Sequence, residues 1–218
     1  MFQAIDPRQA GDQEVVGVGD DLSVERLVWA YRRGIFPWPI SGYPLLWFCP
    51  PQRAILDFAL LHTPRRLARL RRTTALTLTL DHAFDRVIMA CRHSSRPGQS
   101  GTWITPAMVE AYQALHEAGF AHSVEAWDEY GELVGGLYGV SIDGVFAGES
   151  MFHRVPNASK LALLYFVDYL KGRGLGWLDI QMMTPHMEAL GASLLPRDLF
   201  LDRLESTRQL GCVLFDER

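Results

Sequence analysis

The sequence predicts an α+β fold, a mostly antiparallel sheet flanked by helices. Three observations predict it. Between residues 122 and 150 the apolar period is two through three successive segments, HSVEAW, LVGGLYGVSI and GVFAGES, separated by the turn signals DEYG and Asp143-Gly144. That pattern reads as an antiparallel meander. Helix-opening Thr-Pro pairs stand at 63–64, 105–106 and 184–185, and LGWLDIQMM lies between two helical segments as a lone late strand. At 218 residues, 48% hydrophobic and 21% charged, the chain forms one large domain or an ordinary domain with a small companion, and wholesale disorder is excluded.

Taken in chain order, Ser23 precedes an apolar-periodic stretch over 27–31 that stops at Gly34, a short helix with a Ser N-cap and a Gly end. The next segment, IFPWPISGYPLLWFCPPQR, carries five Pro and is read as an extended, aromatic-rich platform without regular structure. Thr63-Pro64 then caps a helix with Arg65, Arg69 and Arg72 on one stripe and Leu67 and Leu70 on another. TALTLTL alternates strictly, a strand with Leu76, Leu78 and Leu80 inward, and Asp81 caps a helix running to about Cys91. HSSRPGQSG is a loop, and Thr105-Pro106 opens a helix that ends near Gly119. After the meander, 157–171 is helical and closed by Gly172. KGRGLG reads as a helix end and tight turn, because a phosphate-holding turn belongs between a strand and a following helix. The late strand, a short helix from Thr184-Pro185 and a last helix over 196–204 complete the chain. The order from residue 75 onward matches the core of acetyltransferase-like (GNAT) folds, an analogy of architecture and not of chemistry.

Net charge is −4, but residues 1–109 carry 13 Arg against 9 acids, and residues 110–218 carry 8 Lys and Arg against 16 acids. The basic half suits a polyanion. Its densest part is PRRLARLRR, where Arg65, Arg66, Arg69, Arg71 and Arg72 have no interleaved acid and cannot pair locally, which favours phosphate binding over a merely solvated face. The longest apolar runs fall well short of the ~20 residues of a bilayer span, and the first 18 residues offer no basic start followed by an apolar stretch. The expectation is a soluble, cytoplasmic protein. Cys49, Cys91 and Cys212 are scattered, and the seven His show no ligand spacing, so neither a disulfide framework nor a metal site is expected.

Within LGWLDIQMM, alternation places Trp177, Asp179 and Gln181 on one face, making a carboxylate and a carboxamide neighbours. A mid-strand Asp runs against propensity and marks either a site or the polar face of an edge strand. Glu149, among apolar neighbours at the end of its strand, would be costly to bury unpaired, and a cationic partner would offset that cost. Trp38 and Trp103 are the tryptophans least explained by periodic burial and offer faces on which a base can stack, although most tryptophans are core.

These pieces resemble the leucyl/phenylalanyl-tRNA–protein transferase family. The similarity runs through GDDLSVERLVWAYRRGIFPW, LLWFCPPQRAIL, GTWITPAMVEAYQALHEAGFAHSVEAW, ELVGGLYGV, FAGESMF, NASKLAL, LDIQ and TPHMEALGASLLPRDLF, roughly residues 17–204. It implies a small N-terminal domain over 1–58 and an acetyltransferase-like catalytic domain over 59–218. The implied reaction moves Leu, Phe or Met from aminoacyl-tRNA (Leu-tRNA, Phe-tRNA) to proteins beginning with Arg or Lys, marking them for degradation through the N-degron pathway.

The resemblance also implies roles. Asp179 and Gln181 match a catalytic Asp-x-Gln, and Glu149 the Glu of a GES block that takes the acceptor's basic side chain. Trp38 and Trp103 match an aromatic pair that clamps the terminal adenine. Tyr112, Leu137, Phe146, Met151, Leu163 and Leu178 match positions that bind the donated residue, and Arg65, Arg66, Arg69 and Arg72 a helix that holds the tRNA. No cofactor, no metal and no membrane are implied, and a monomer is expected. WFCPPQR stands where the family has WWSPDPR, and Ile180 where it has Cys. A CoA-dependent N-acyltransferase and a non-catalytic RNA-binding module remain the alternatives.

Overall fold

The computed structural model describes residues 2–94 and 102–216; most of the loop read in HSSRPGQSG lies outside them. Two sheets organise the chain. The smaller contains β1 (Gln3–Ala4), β2 (Val15–Val18), β3 (Phe36–Trp38) and β4 (Leu46–Phe48), all antiparallel in the order β1-β2-β4-β3. The larger contains β5 (Gln52–Asp57), β6 (Thr77–Leu80), β7 (Ala121–Trp127), β8 (Leu133–Ile142), β9 (Val145–His153), β10 (Trp177–Gln181) and β11 (Ser193–Pro196), ordered β11-β5-β10-β9-β8-β7-β6. It is a mixed sheet: β9 and β10 run parallel, while the other neighbours are antiparallel.

The helices are α1 (Val24–Tyr31), α2 (Arg65–Thr73), α3 (Phe84–His93), α4 (Pro106–Glu117), α5 (Ala158–Gly172), α6 (Pro185–Glu188) and α7 (Arg197–Gln209). Ser23, Thr105 and Thr184 each accept a backbone N–H of the first turn they precede, so these three caps form as the sequence predicts. Asp143, at φ 50°, and Gly144, at φ 79°, make the β8–β9 turn.

Several elements differ from the sequence reading. The Pro-rich platform holds two short strands, β3 and β4, and the start of β5, because its prolines fall between the paired stretches or, like Pro37, on the short β3 at the sheet edge. Thr63 does not cap α2: Pro64 is the boundary residue and no side chain caps that end. Asp81 does not cap α3 either. Its carboxylate accepts the Ser123 N–H (2.8 Å) and contacts His122 Nδ1 (2.7 Å), which ties β6 to β7. The glycine that closes α5 is Gly174, at φ 90°, not Gly172, which is still helical.

The main core runs from Ala10 to Leu214 and joins both sheets; Trp47, Trp177, Tyr112, Tyr138, Phe36, Phe146, Phe166 and Phe200 are among its largest apolar members. Arg197 at the start of α7 donates to the carbonyls of Pro7 (3.2 Å), Gly11 (2.8 Å) and Gln13, fastening the N-terminal segment to the last helix. Gly139 is required by a close approach: a Cβ there would stand 2.3 Å from the Ala147 carbonyl oxygen and 2.4 Å from the Phe146 ring.

Candidate active site

The site forms where β9 and β10 part. Their single registered pair is Ala147–Asp179, and beyond it each strand bulges against its other neighbour. On β9, Tyr138 pairs with Ser150 and Gly139 with Gly148, so Glu149 is the extra residue. On β10, Asp179 pairs with Ile55 and Gln181 with Ala54, so Ile180 is the extra residue. Bulges re-aim side chains. Gln181 consequently sits at φ 63°, a left-handed conformation that costs a non-glycine residue roughly 1–2 kcal/mol. Its carboxamide nitrogen donates to Glu149 Oε1 at 2.6 Å, closing the gap between the two strands.

Glu149 is half-buried, and its hydrogen-bond partners among the described residues are all neutral. Tyr31 Oη, at the end of α1, lies 2.7 Å from Oε1; Tyr112 Oη, on α4, lies 3.1 Å from Oε2; and the two phenols are 2.5 Å apart. This triangle has three edges and needs three hydrogens. The phenols supply two, so the complete ring requires the carboxyl proton as the third. Electrostatics agree: burial pushes the Glu149 carboxyl up to about 7, against the lowering effect of the three hydrogen bonds. Burial, with Glu149 nearby, also pushes both phenols well above the ordinary tyrosine value, so they remain donors.

Asp179, 3% exposed, faces a cation. Arg53 on β5, 1% exposed, grips it with Nε to Oδ1 at 2.8 Å and Nη2 to Oδ2 at 2.6 Å. Oδ1 also accepts the Gln181 backbone N–H at 2.9 Å. The reading of Asp179 as the polar face of an edge strand fails, because β10 lies between β5 and β9. For Glu149 the sequence left open a cationic partner or a solvated strand end. The buried cation goes to Asp179, and among the described residues Glu149 has the two phenols and the carboxamide as hydrogen-bond partners.

Among the other predicted residues, Trp38 and Trp103 meet face to face. Leu137 and Met151 are opposed across β8 and β9, with Met151 half-buried. Phe146, Leu163 and Leu178 are enclosed in the core, Phe146 edge-on to Phe166 with centroids 4.6 Å apart. Arg65, Arg66, Arg69 and Arg72 are exposed on α2 and have no acidic partner among the described residues, whereas Arg71 pairs with Asp168. A cleft of about 1050 Å³ lies away from all of these, lined by Ile5, Arg8, Trp29, Arg33, Leu201 and Arg208 among others. A smaller one, about 220 Å³, is lined by Pro39 and Thr105, within two residues of Trp38 and Trp103. Tyr31 and Arg53 escaped the sequence reading. The available signal for Arg53 was the mid-strand Asp, which demands a cation somewhere in the fold; Tyr31 had none. Among the described residues no group of His, Cys, Asp and Glu could hold a metal ion, and no helix is long and apolar enough to cross a membrane.

The family model described as leucyl/phenylalanyl-tRNA protein transferase matches residues 55–205, and that of the same transferase's N-terminal domain matches residues 20–51. The chain belongs to the leucyl/phenylalanyl-tRNA–protein transferase family. Curated relatives with that name agree. The one from Maridesulfovibrio salexigens is 49% identical over 91% of this chain and 83% of its own, and the one from Myxococcus xanthus is 50% identical over 91% and 84%. Among solved structures, L-PGS from Bacillus licheniformis aligns with TM-score 0.41 and 14% identity over 69% of this chain and 48% of that one. The family resemblance read over roughly residues 17–204 is thus matched by the two family models at 20–51 and 55–205.

Proposed function

We propose that this member of the transferase family moves leucine or phenylalanine from aminoacyl-tRNA to the α-amino group of proteins that begin with Arg or Lys. The observation that carries the reading is Glu149, a carboxyl group held by two phenols and a carboxamide with no cationic partner among the described residues. The carboxyl gives up its proton to solvent as the acceptor's basic side chain arrives, and the two pair as carboxylate and cation. The α-amine then lies beside Gln181, whose carboxamide oxygen orients it while Asp179 holds Gln181 in place. The amine nitrogen attacks the aminoacyl ester carbonyl, an amide bond forms, the ester C–O bond breaks, and the terminal ribose hydroxyl leaves carrying the proton. The ester is already activated, so alignment supplies most of the catalysis. Trp38 and Trp103 receive the terminal adenine, the unpaired arginines of α2 hold the tRNA backbone, and Leu137, Met151 and their neighbours accommodate the apolar side chain. An apolar pocket separates Leu, Phe and Met by only ~1–3 kcal/mol per methylene, which favours shared use.

With this reading go a cytoplasmic monomer, a GNAT-like arrangement of the large sheet, and a division into 1–58 and 59–218 in which β5 stitches the first segment into the second. Radiolabelled Leu-tRNA incubated with a peptide beginning in Arg tests it: label appears on the peptide, and less on one beginning in Asp. Absence of transfer with retained RNA binding would leave a binding module, and acetyl-CoA-dependent acylation would leave an ordinary acyltransferase.

A further inference from the structure

We propose that Arg53 is a positioning residue for the transfer reaction: it locks Asp179, and through Asp179 the left-handed backbone of Gln181, so that the carboxamide is aimed at Glu149. This rests on the transfer reading and adds to it a group that lies outside the reacting atoms.

Both oxygens of Asp179 are engaged by the Arg53 fork, at 2.8 and 2.6 Å, so the plane of the carboxylate is fixed and its charge is balanced inside the protein. Oδ1 has a second duty: it accepts the Gln181 N–H at 2.9 Å at the point where the chain adopts φ 63°. Without an acceptor set there, a non-glycine residue returns to negative φ and the carboxamide leaves Glu149. The fork is itself held. The Arg53 guanidinium lies 4.6 Å from the ring centroids of both Phe36 on β3 and Phe200 on α7. Its remaining nitrogen, Nη1, has no protein partner among the described residues, so Asp179 is its one ionic contact. Lysine would present a point charge and leave the carboxylate free to rotate. Phe36 also packs edge-on to Trp38 at 6.4 Å, which sets Arg53 one ring away from the tryptophan stack.

The test measures kcat per folded molecule for leucine transfer to an Arg-initiated peptide, with KM for both substrates. Arg53→Lys is compared with the wild type and, separately, in a Gln181→Ala background. The expected result is a fall of at least tenfold in kcat with both KM values within twofold, and less than a twofold further loss when Gln181 is already Ala. Phe200→Leu, which loosens the clamp and keeps every charge, gives a three- to tenfold fall with the same non-additivity, and serves if Arg53→Lys does not fold. An active wild type with unchanged kcat in both variants, or an equal fold loss in both backgrounds, overturns the positioning role alone. A wild-type chain that transfers no leucine removes the transfer reading, and this role with it.

Discussion

Trp38 and Trp103 lie face to face, ring centroids 4.9 Å apart and planes inclined by 21°, so each indole already occupies the surface the other would offer a base. An adenine held between them requires the rings to separate. Stacking on an aromatic ring is worth ~1–3 kcal/mol per base. Trp103→Ala is therefore expected to raise KM for aminoacyl-tRNA by about 5- to 150-fold with little change in the KM for peptide. Steady-state kinetics with both substrates checks this, and an unaltered KM for aminoacyl-tRNA would remove the indoles from the site.

Glu149 makes opposite demands on stability and activity. Its folded pKa, about 7, lies above the ordinary value of 4.5, so the folded protein holds the carboxyl proton where the unfolded chain has lost it. The group's favourable contribution is full below about pH 4.5 and disappears as pH rises through about 7, a difference of about 3 kcal/mol. Glu149→Gln should leave the melting temperature near wild type at pH 5 and raise it by several degrees at pH 8. The same variant loses preference for Arg-initiated peptides, and in the wild type the KM for such peptides rises as pH falls below 7. Thermal melts at both pH values decide the first point, since a melting temperature lower than wild type at pH 8 contradicts it.

Asp179→Ala and Asp179→Asn separate structural from catalytic loss. Removing the carboxylate leaves a 1% exposed guanidinium without its counter-ion, a destabilisation of about 3–5 kcal/mol. The Asn variant keeps an acceptor for Gln181 and fits the same space, so its loss should be smaller. Denaturant midpoints rank the two. If Asp179→Ala proves as stable as the wild type, the buried ion pair contributes nothing to the fold.

The exposed arginines of α2 predict a salt signature. Each phosphate contact contributes a slope of about −0.7 to −0.9 in log K against log salt concentration. Replacing Arg65 and Arg69 together by Ala should flatten the slope of tRNA binding by about one to two and leave transfer from a minimal aminoacyl-adenosine donor unaffected. Binding titrations across salt concentrations measure it, and an unchanged slope would place the nucleic acid elsewhere.

The meander was legible because a period of two persisted through β7, β8 and β9 and both turns carried glycine. Strands β1 to β4 were not, being two to four residues long, too short for alternation to register. β11, SLLP, ends on a proline and shows no period. Asp179, Gln181 and Glu149 could be picked out as polar residues in apolar strands. The bulges that turn Gln181 toward Glu149 are single-residue slips of register, which leave no mark in composition. Arg53 was hidden by distance: 126 positions separate it from the carboxylate it holds. Its burial became intelligible only when the sheet brought the two together.

That same strand has a consequence for biosynthesis. β5 is flanked by β10 and β11, so a nascent chain emerges from the ribosome with residues 52–57 lacking their first neighbour until translation has passed residue 181 and their second until it has passed residue 196. The sheet closes by pairing segments of the polypeptide made far apart in time, a slow kind of folding. Until then the arginine on that strand has no carboxylate to meet, and the geometry that joins Arg53, Asp179 and Gln181 waits on residues translated 126 positions later.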